Sequence, residues 1–107
     1  MATITLQNSS LMEVTILSNT FIDNYMPEAN GEFVKVYIYL LRALSSAPVS
    51  FSLEQMADRL LCTERDILRA LKSWENEKLV SLIYEGNVLT GITLLTPRNK
   101  ADEISVN

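Results

Sequence analysis

The sequence predicts a small α+β domain, and three observations carry that reading. Residues 51–74, FSLEQMADRLLCTERDILRALKSW, hold two short amphipathic helical patterns separated only by Leu61 and Cys62. Residues 79–95, LVSLIYEGNVLTGITLL, are aliphatic and β-branched, with Gly86-Asn87 near the middle. A Gly-Asn pair between two such runs marks a β-hairpin. Ahead of both lies the longest helical pattern, Gly31 to Ser45. Two capped helices with so short a link predict a helix-turn-helix, and a hairpin directly after it makes a winged helix. An added N-terminal strand and a short helix are expected in front.

Taken in order, residues 1–12 read as a flexible terminus or an edge strand, with a brief alternation over Thr3 to Leu6. Glu13 to Leu17, EVTIL, reads as a strand that pairs with the wing, with Val14 and Ile16 on one side. Ser18 or Asn19 can cap a short helix over Thr20 to Met26, which Pro27 ends. Phe21, Ile22 and Tyr25 would form its apolar face. Asn30 caps the long helix, in which apolar residues leave almost no polar side. Such a helix is expected to be buried all round. Its simplest role is the central core helix. The sharper expectation gives one flank, with Tyr37 or Tyr39, to a self-association surface.

Ser45 to Ser50, SSAPVS, is a connector. Ser52 then fits an N-cap with Gln55 three residues on, flanked by Phe51 and Met56 at staple positions. Thr63 with Asp66 repeats the pattern less perfectly, because Asp is shorter than Glu, and Cys62 and Ile67 take the staple positions. Ala57 suits a close approach of two helices. Ile67, Leu68, Leu71 and Trp74 make the second apolar stripe. Residues 13–97 are expected to form the folded domain. Residues 98–107 are polar and patternless, and read as a disordered tail or the start of a linker. The chain thus reads as a fragment, or a single-domain relative, of something larger.

Composition narrows the function. The chain has 107 residues, enough for one domain that folds without metal or disulfide. Its hydrophobic fraction of 48% is high beside 21% charge, which hints at apolar surface used between chains. One cysteine and no histidine exclude a disulfide framework and a zinc site of the usual type, and point weakly to a cytoplasmic setting. No apolar run reaches membrane-span length, and no basic start precedes an apolar segment. The net charge of −4 opposes strong non-specific nucleic-acid binding. Residues 1–62 carry three basic and six acidic side chains, residues 63–107 six and seven, so the second half is nearly balanced.

Chemistry-bearing motifs are scarce. Cys62 sits at an apolar helix junction and reads as a small buried hydrophobe. No phosphate-binding loop, nucleotide fingerprint or metal loop is present, so the expectation is a non-enzyme without cofactor. Arg65, Arg69, Lys72 and Asn76 fall at spacings of four, three and four on the second helix, opposite Ile67, Leu71 and Trp74. Lys78 and the Gly86-Asn87 tip could add contacts. These residues are the candidate DNA face, as the second helix of such a fold can enter the major groove. The competing reading is a solvated face with internal ion pairs such as Asp66–Arg69. Glu64, Asp66, Glu75, Glu77 and Glu85 nearly cancel the basic charge, so DNA contact by this domain alone is expected to be weak.

The segments SNTFIDNYMPEANGEFVKVYIYLLRALSS and FSLEQMADRLLCTERDILRALKSWE together resemble the N-terminal winged-helix domain of DnaD-like primosomal replication proteins. Those proteins belong to Gram-positive bacteria and their phages. The resemblance covers about Glu13 to Pro97. It implies a scaffold domain that self-associates and contacts replication-initiation proteins during primosome assembly, while much of the DNA binding resides in a separate C-terminal domain. The Tyr-x-x-x-Ile-x-x-Trp motif of that domain is absent here, since Trp74 lies in ILRALKSW. The implied self-association surfaces are the strand with Val14 and Ile16, the early helix with Phe21 and Tyr25, and the wing. The alternative is a direct DNA-binding domain, for instance of a transcriptional regulator.

Overall fold

The computed structural model describes residues 14–45 and 52–98. The expectations for residues 1–12, Glu13, the 46–51 connector with the Phe51 staple, and the tail beyond Arg98 lie outside those residues. The described chain is a small α+β domain. It has four α-helices, one short 3-10 helix and a two-stranded antiparallel sheet.

Helix α1 spans Asn19–Asn24. Ser18 caps it, its hydroxyl accepting from the Phe21 N–H at 3.3 Å. The helix stops short of the expected Met26. Pro27 instead sits inside a 3-10 helix, Met26–Glu28, near its start, where a missing N–H costs nothing. Helix α2 spans Gly31–Ser45, and the Asn30 side chain accepts from the Glu32 N–H at 2.8 Å. Helix α3 spans Leu53–Leu60, with the Ser52 hydroxyl accepting from the Gln55 N–H at 3.0 Å. Helix α4 spans Glu64–Asn76. Its capping box closes in both directions, Asp66 N–H to Thr63 Oγ1 at 3.1 Å and Thr63 N–H to Asp66 Oδ2 at 3.0 Å. The shorter Asp side chain therefore suffices.

Both α3 and α4 end in the same way. The Cys62 N–H donates to the Ala57 carbonyl at 2.9 Å and the Leu61 N–H to Asp58 at 3.4 Å, with Leu61 left-handed at φ 57°. The Leu79 N–H donates to Trp74 and the Lys78 N–H to Glu75, both at 2.9 Å, with Lys78 at φ 63°. These are Schellman endings, in which glycine is the usual left-handed residue. A leucine there costs roughly 1–2 kcal/mol of backbone strain. Leu61 is also 90% exposed, so its side chain gains no compensating burial. Leu61→Gly is expected to raise the urea midpoint, by an amount corresponding to about 1 kcal/mol or less, since glycine returns part of the gain as unfolded-state entropy.

Strands β1, Val80–Glu85, and β2, Val88–Leu94, pair antiparallel from Val80↔Leu94 to Glu85↔Val88. The two-residue loop has Gly86 at φ 65°, the positive angle that a tight hairpin turn needs. The register slips by one residue between Ile83 and Tyr84, leaving Thr90 as a bulge whose hydroxyl donates to the Ile83 carbonyl at 3.2 Å. The Leu82 N–H turns outward and donates to Glu75 Oε2 of α4 at 3.1 Å, which occupies that position on the free edge of β1.

The strand expected over Glu13 to Leu17 does not form across its described residues. Residues 14–18 belong to no strand, and the sheet holds β1 and β2 alone among the described residues. The alternation that suggested a strand is nevertheless real in burial. Leu17 packs against the core, while Val14 and Ile16 face solvent. What is missing is a ladder partner, and part of the β1 edge is already taken by Glu75.

The core is an aromatic cluster. Phe21 stacks on Tyr37 with ring centroids 4.2 Å apart, and Trp74 tilts against both at 5.4 and 5.5 Å. The buried Trp74 indole N–H donates to the Phe33 carbonyl at 2.8 Å, the partner that such a group requires. Tyr25, Val36, Leu40, Met56, Ala57, Ile67, Ala70, Leu71, Leu79 and Val80 complete the core. Helix α2 is not buried all round. Ile38 and Leu44 are 41% and 47% exposed, because three other helices and one hairpin cover only one side of it. Beyond β2, the chain is tied back to α1: the Tyr25 hydroxyl donates to the Arg98 carbonyl at 2.8 Å and accepts from the Arg98 N–H at 3.3 Å.

Candidate interaction faces

Helix α4 buries Ile67, Ala70, Leu71 and Trp74, which turns Arg65, Arg69, Lys72 and Asn76 to solvent. The basic stripe thus exists as a surface. Lys78 is exposed too, but it lies past the end of the helix in its left-handed turn. Two features set the character of the stripe. The first turn of α4, the part that would lead into a major groove, carries Glu64 and Asp66. From Val80 to Leu95 the hairpin has no Lys or Arg and one acid, Glu85.

Asp66 is held ionised. Its carboxyl lies below the usual range, chiefly because it accepts the Thr63 backbone N–H, then through the Thr63 hydroxyl, with Arg69 and Arg65 adding smaller electrostatic help. The carboxylate therefore serves the helix cap first and the arginines second. A depressed folded-state pKa contributes stability that is full above the unfolded value of 3.8 and is lost as pH falls through the lower folded value. Asp66→Asn is expected to destabilise the domain at neutral pH and to match the unsubstituted chain in acid well below pH 3.8. Urea midpoints of both chains at the two pH values check this.

Cys62 borders a cleft of about 50 Å³ between the start of α2 and the turn before α4. Burial pushes its thiol up, as do Asp66 and Glu32, against a smaller opposing effect of Lys35. A raised thiol pKa disfavours the nucleophilic thiolate. Among the described residues no cluster of His, Cys, Asp and Glu could hold a metal ion. No described helix is long and apolar enough to cross a membrane.

Of the residues expected at a self-association surface, Phe21, Tyr25 and Tyr37 are in the core, so their side chains serve this chain's own packing. Their apolar spacing identified a buried face correctly but could not tell an internal partner from an external one. Tyr39 is half-buried against the core. Val14 and Ile16 are the exposed members, Ile16 at 82%. The structure adds others that the periodicity did not single out: Ile83, Tyr84 and Val88 on the hairpin, and Ile38 and Leu44 on α2. The hairpin set had a readable signal. Apolar residues on both faces of a strand beside its turn exceed what one core can cover.

Compared with family models, curated proteins and solved structures, the chain gives no match.

Proposed function

We propose that this domain is a winged helix acting as an oligomerising scaffold of the DnaD-like kind, in the cytoplasmic assembly of a bacterial replication-initiation complex. The observation that carries the reading is the character of the exposed surface. The hairpin, which would be the wing, presents Ile83, Tyr84 and Val88 and no cation. The N-terminal segment presents Val14 and Ile16. Apolar surface of this kind is suited to protein association, and a wing without cations is poorly suited to phosphates. The resemblance over residues 18–46 and 51–75 supplies the replication context, with the chain's own copies and replication-initiation proteins as partners.

A direct DNA-binding role has one observation in its favour, the exposed Arg65, Arg69 and Lys72 stripe. The two readings part on charge reversal at Arg69. For a scaffold, Arg69→Glu leaves self-association unchanged and removes little DNA affinity, because there is little to remove. If binding to duplex DNA at low salt is substantial and Arg69→Glu abolishes it, the direct-binding reading replaces the scaffold.

A further inference from the structure

Where the chain leaves β2 it runs beside the α4–β1 junction, and a cleft of about 370 Å³ lies between them. The described residues lining it are Tyr25, Lys78, Leu95, Thr96 and Arg98. They include two cations and no carboxylate, in a chain whose net charge is −4. Glu28 and Glu77 line a separate cleft that shares Tyr25. Neither cation is placed here by a loose backbone. Lys78 occupies the left-handed position of the α4 ending, fixed by its own bond to Glu75 and that of Leu79 to Trp74. Arg98 is held by both hydrogen bonds to the Tyr25 hydroxyl.

From this shared lining we infer that the cleft is a binding site for a phosphate monoester of nucleotide size. The side chains of Lys78, Arg98 and Thr96 carry donors of three kinds, an ammonium, a guanidinium and a hydroxyl, which suit the several acceptor oxygens of a tetrahedral phosphate. A phosphate monoester carries close to two negative charges at neutral pH, which two cations balance. The cleft falls within the size range of small-molecule sites, roughly 300–1,000 Å³, and exceeds what a bare phosphate fills. Leu95, partly exposed beside the cations, gives the rest of the ligand an apolar contact. The site shares Lys78 with the candidate DNA face but none of Arg65, Arg69 and Lys72, and it does not depend on the scaffold reading.

Amide-resolved NMR titration of the full chain tests it, with inorganic phosphate, adenosine 5′-monophosphate and adenosine as separate probes. A 5′-phosphorylated oligonucleotide and its unphosphorylated twin form a second arm. The expected result is phosphate-dependent shifts centred on Lys78, Thr96 and Arg98. Lys78→Asn, which keeps a residue tolerant of the left-handed backbone, and Arg98→Gln should each weaken binding about tenfold. Arg59→Gln, the same charge loss outside the cleft, should leave it unchanged. Tighter binding of the monophosphate than of the oligonucleotide end identifies a free nucleotide as ligand, and the reverse identifies a nucleic-acid terminus. Shifts spread along Arg65, Arg69 and Lys72, equal weakening by Arg59→Gln, or no response to any phosphate at millimolar concentration would overturn the inference.

Discussion

Trp74→Ala is expected to leave the domain largely unfolded in conditions where the unsubstituted chain is folded. Trp74 is fully buried at the C-terminal end of α4 and touches rings from two other helices, Phe21 of α1 and Tyr37 of α2. Its indole N–H also fixes α4 to α2 through the Phe33 carbonyl. Removing a buried tryptophan side chain costs about 3–5 kcal/mol, because the cavity left by so large a ring collapses only in part. The lost hydrogen bond adds about 1 kcal/mol. A domain of this size is stabilised by only about 5–10 kcal/mol in total. Trp74→Phe, which retains a ring and loses the donor, should cost much less and remain folded. Urea unfolding followed by far-UV circular dichroism distinguishes the three chains. A loss below about 1 kcal/mol for the alanine variant would mean that the cluster does not hold the three helices together.

The second large effect concerns association. Val14→Asp with Ile16→Asp should leave the fold intact, since both side chains face solvent in the single chain. Exposed substitutions away from special features typically change stability by less than about 0.5 kcal/mol. If these residues meet another copy, each is worth about 1.5–3 kcal/mol when buried there. Together their loss should weaken self-association at least about a hundredfold, as each 1.4 kcal/mol is a factor of ten. Ile83→Ser with Val88→Ser examines the hairpin in the same way. Unchanged dimer dissociation in both double variants would remove the N-terminal segment and the hairpin tip from the interface.

Local signals in the sequence predicted local structure well. Ser52 and Thr63 were readable as caps because a cap depends on a hydroxyl three residues from the N–H that it accepts, and both bonds form. Gly86-Asn87 was readable as a turn for the same reason. Distant pairings were not readable. Nothing local to Tyr25 says that its hydroxyl will meet Arg98, 73 residues on. The left-handed positions at Leu61 and Lys78 escaped notice because neither is the glycine or asparagine that usually marks them. Residues 14–17 of the expected strand pair with nothing in the described sheet, because alternation reports two-sided burial and carries no information on whether a sheet edge is open. The candidate faces divide along the same line. The α4 stripe followed from helical spacing. The cleft beside the α4–β1 junction arises where two segments about twenty residues apart in sequence, around Lys78 and Arg98, are brought together by the hairpin between them.

Sedimentation velocity over a concentration series, with labelled single-stranded and duplex DNA at low and high salt, tests the proposed scaffold role most directly. A scaffold predicts sedimentation coefficients that rise with protein concentration, little DNA travelling with the protein, and a Val14→Asp, Ile16→Asp variant that stays small. A chain that remains monomeric at high micromolar concentration, yet carries DNA at low salt and releases it at high salt, would contradict the scaffold and assign the function to Arg65, Arg69 and Lys72.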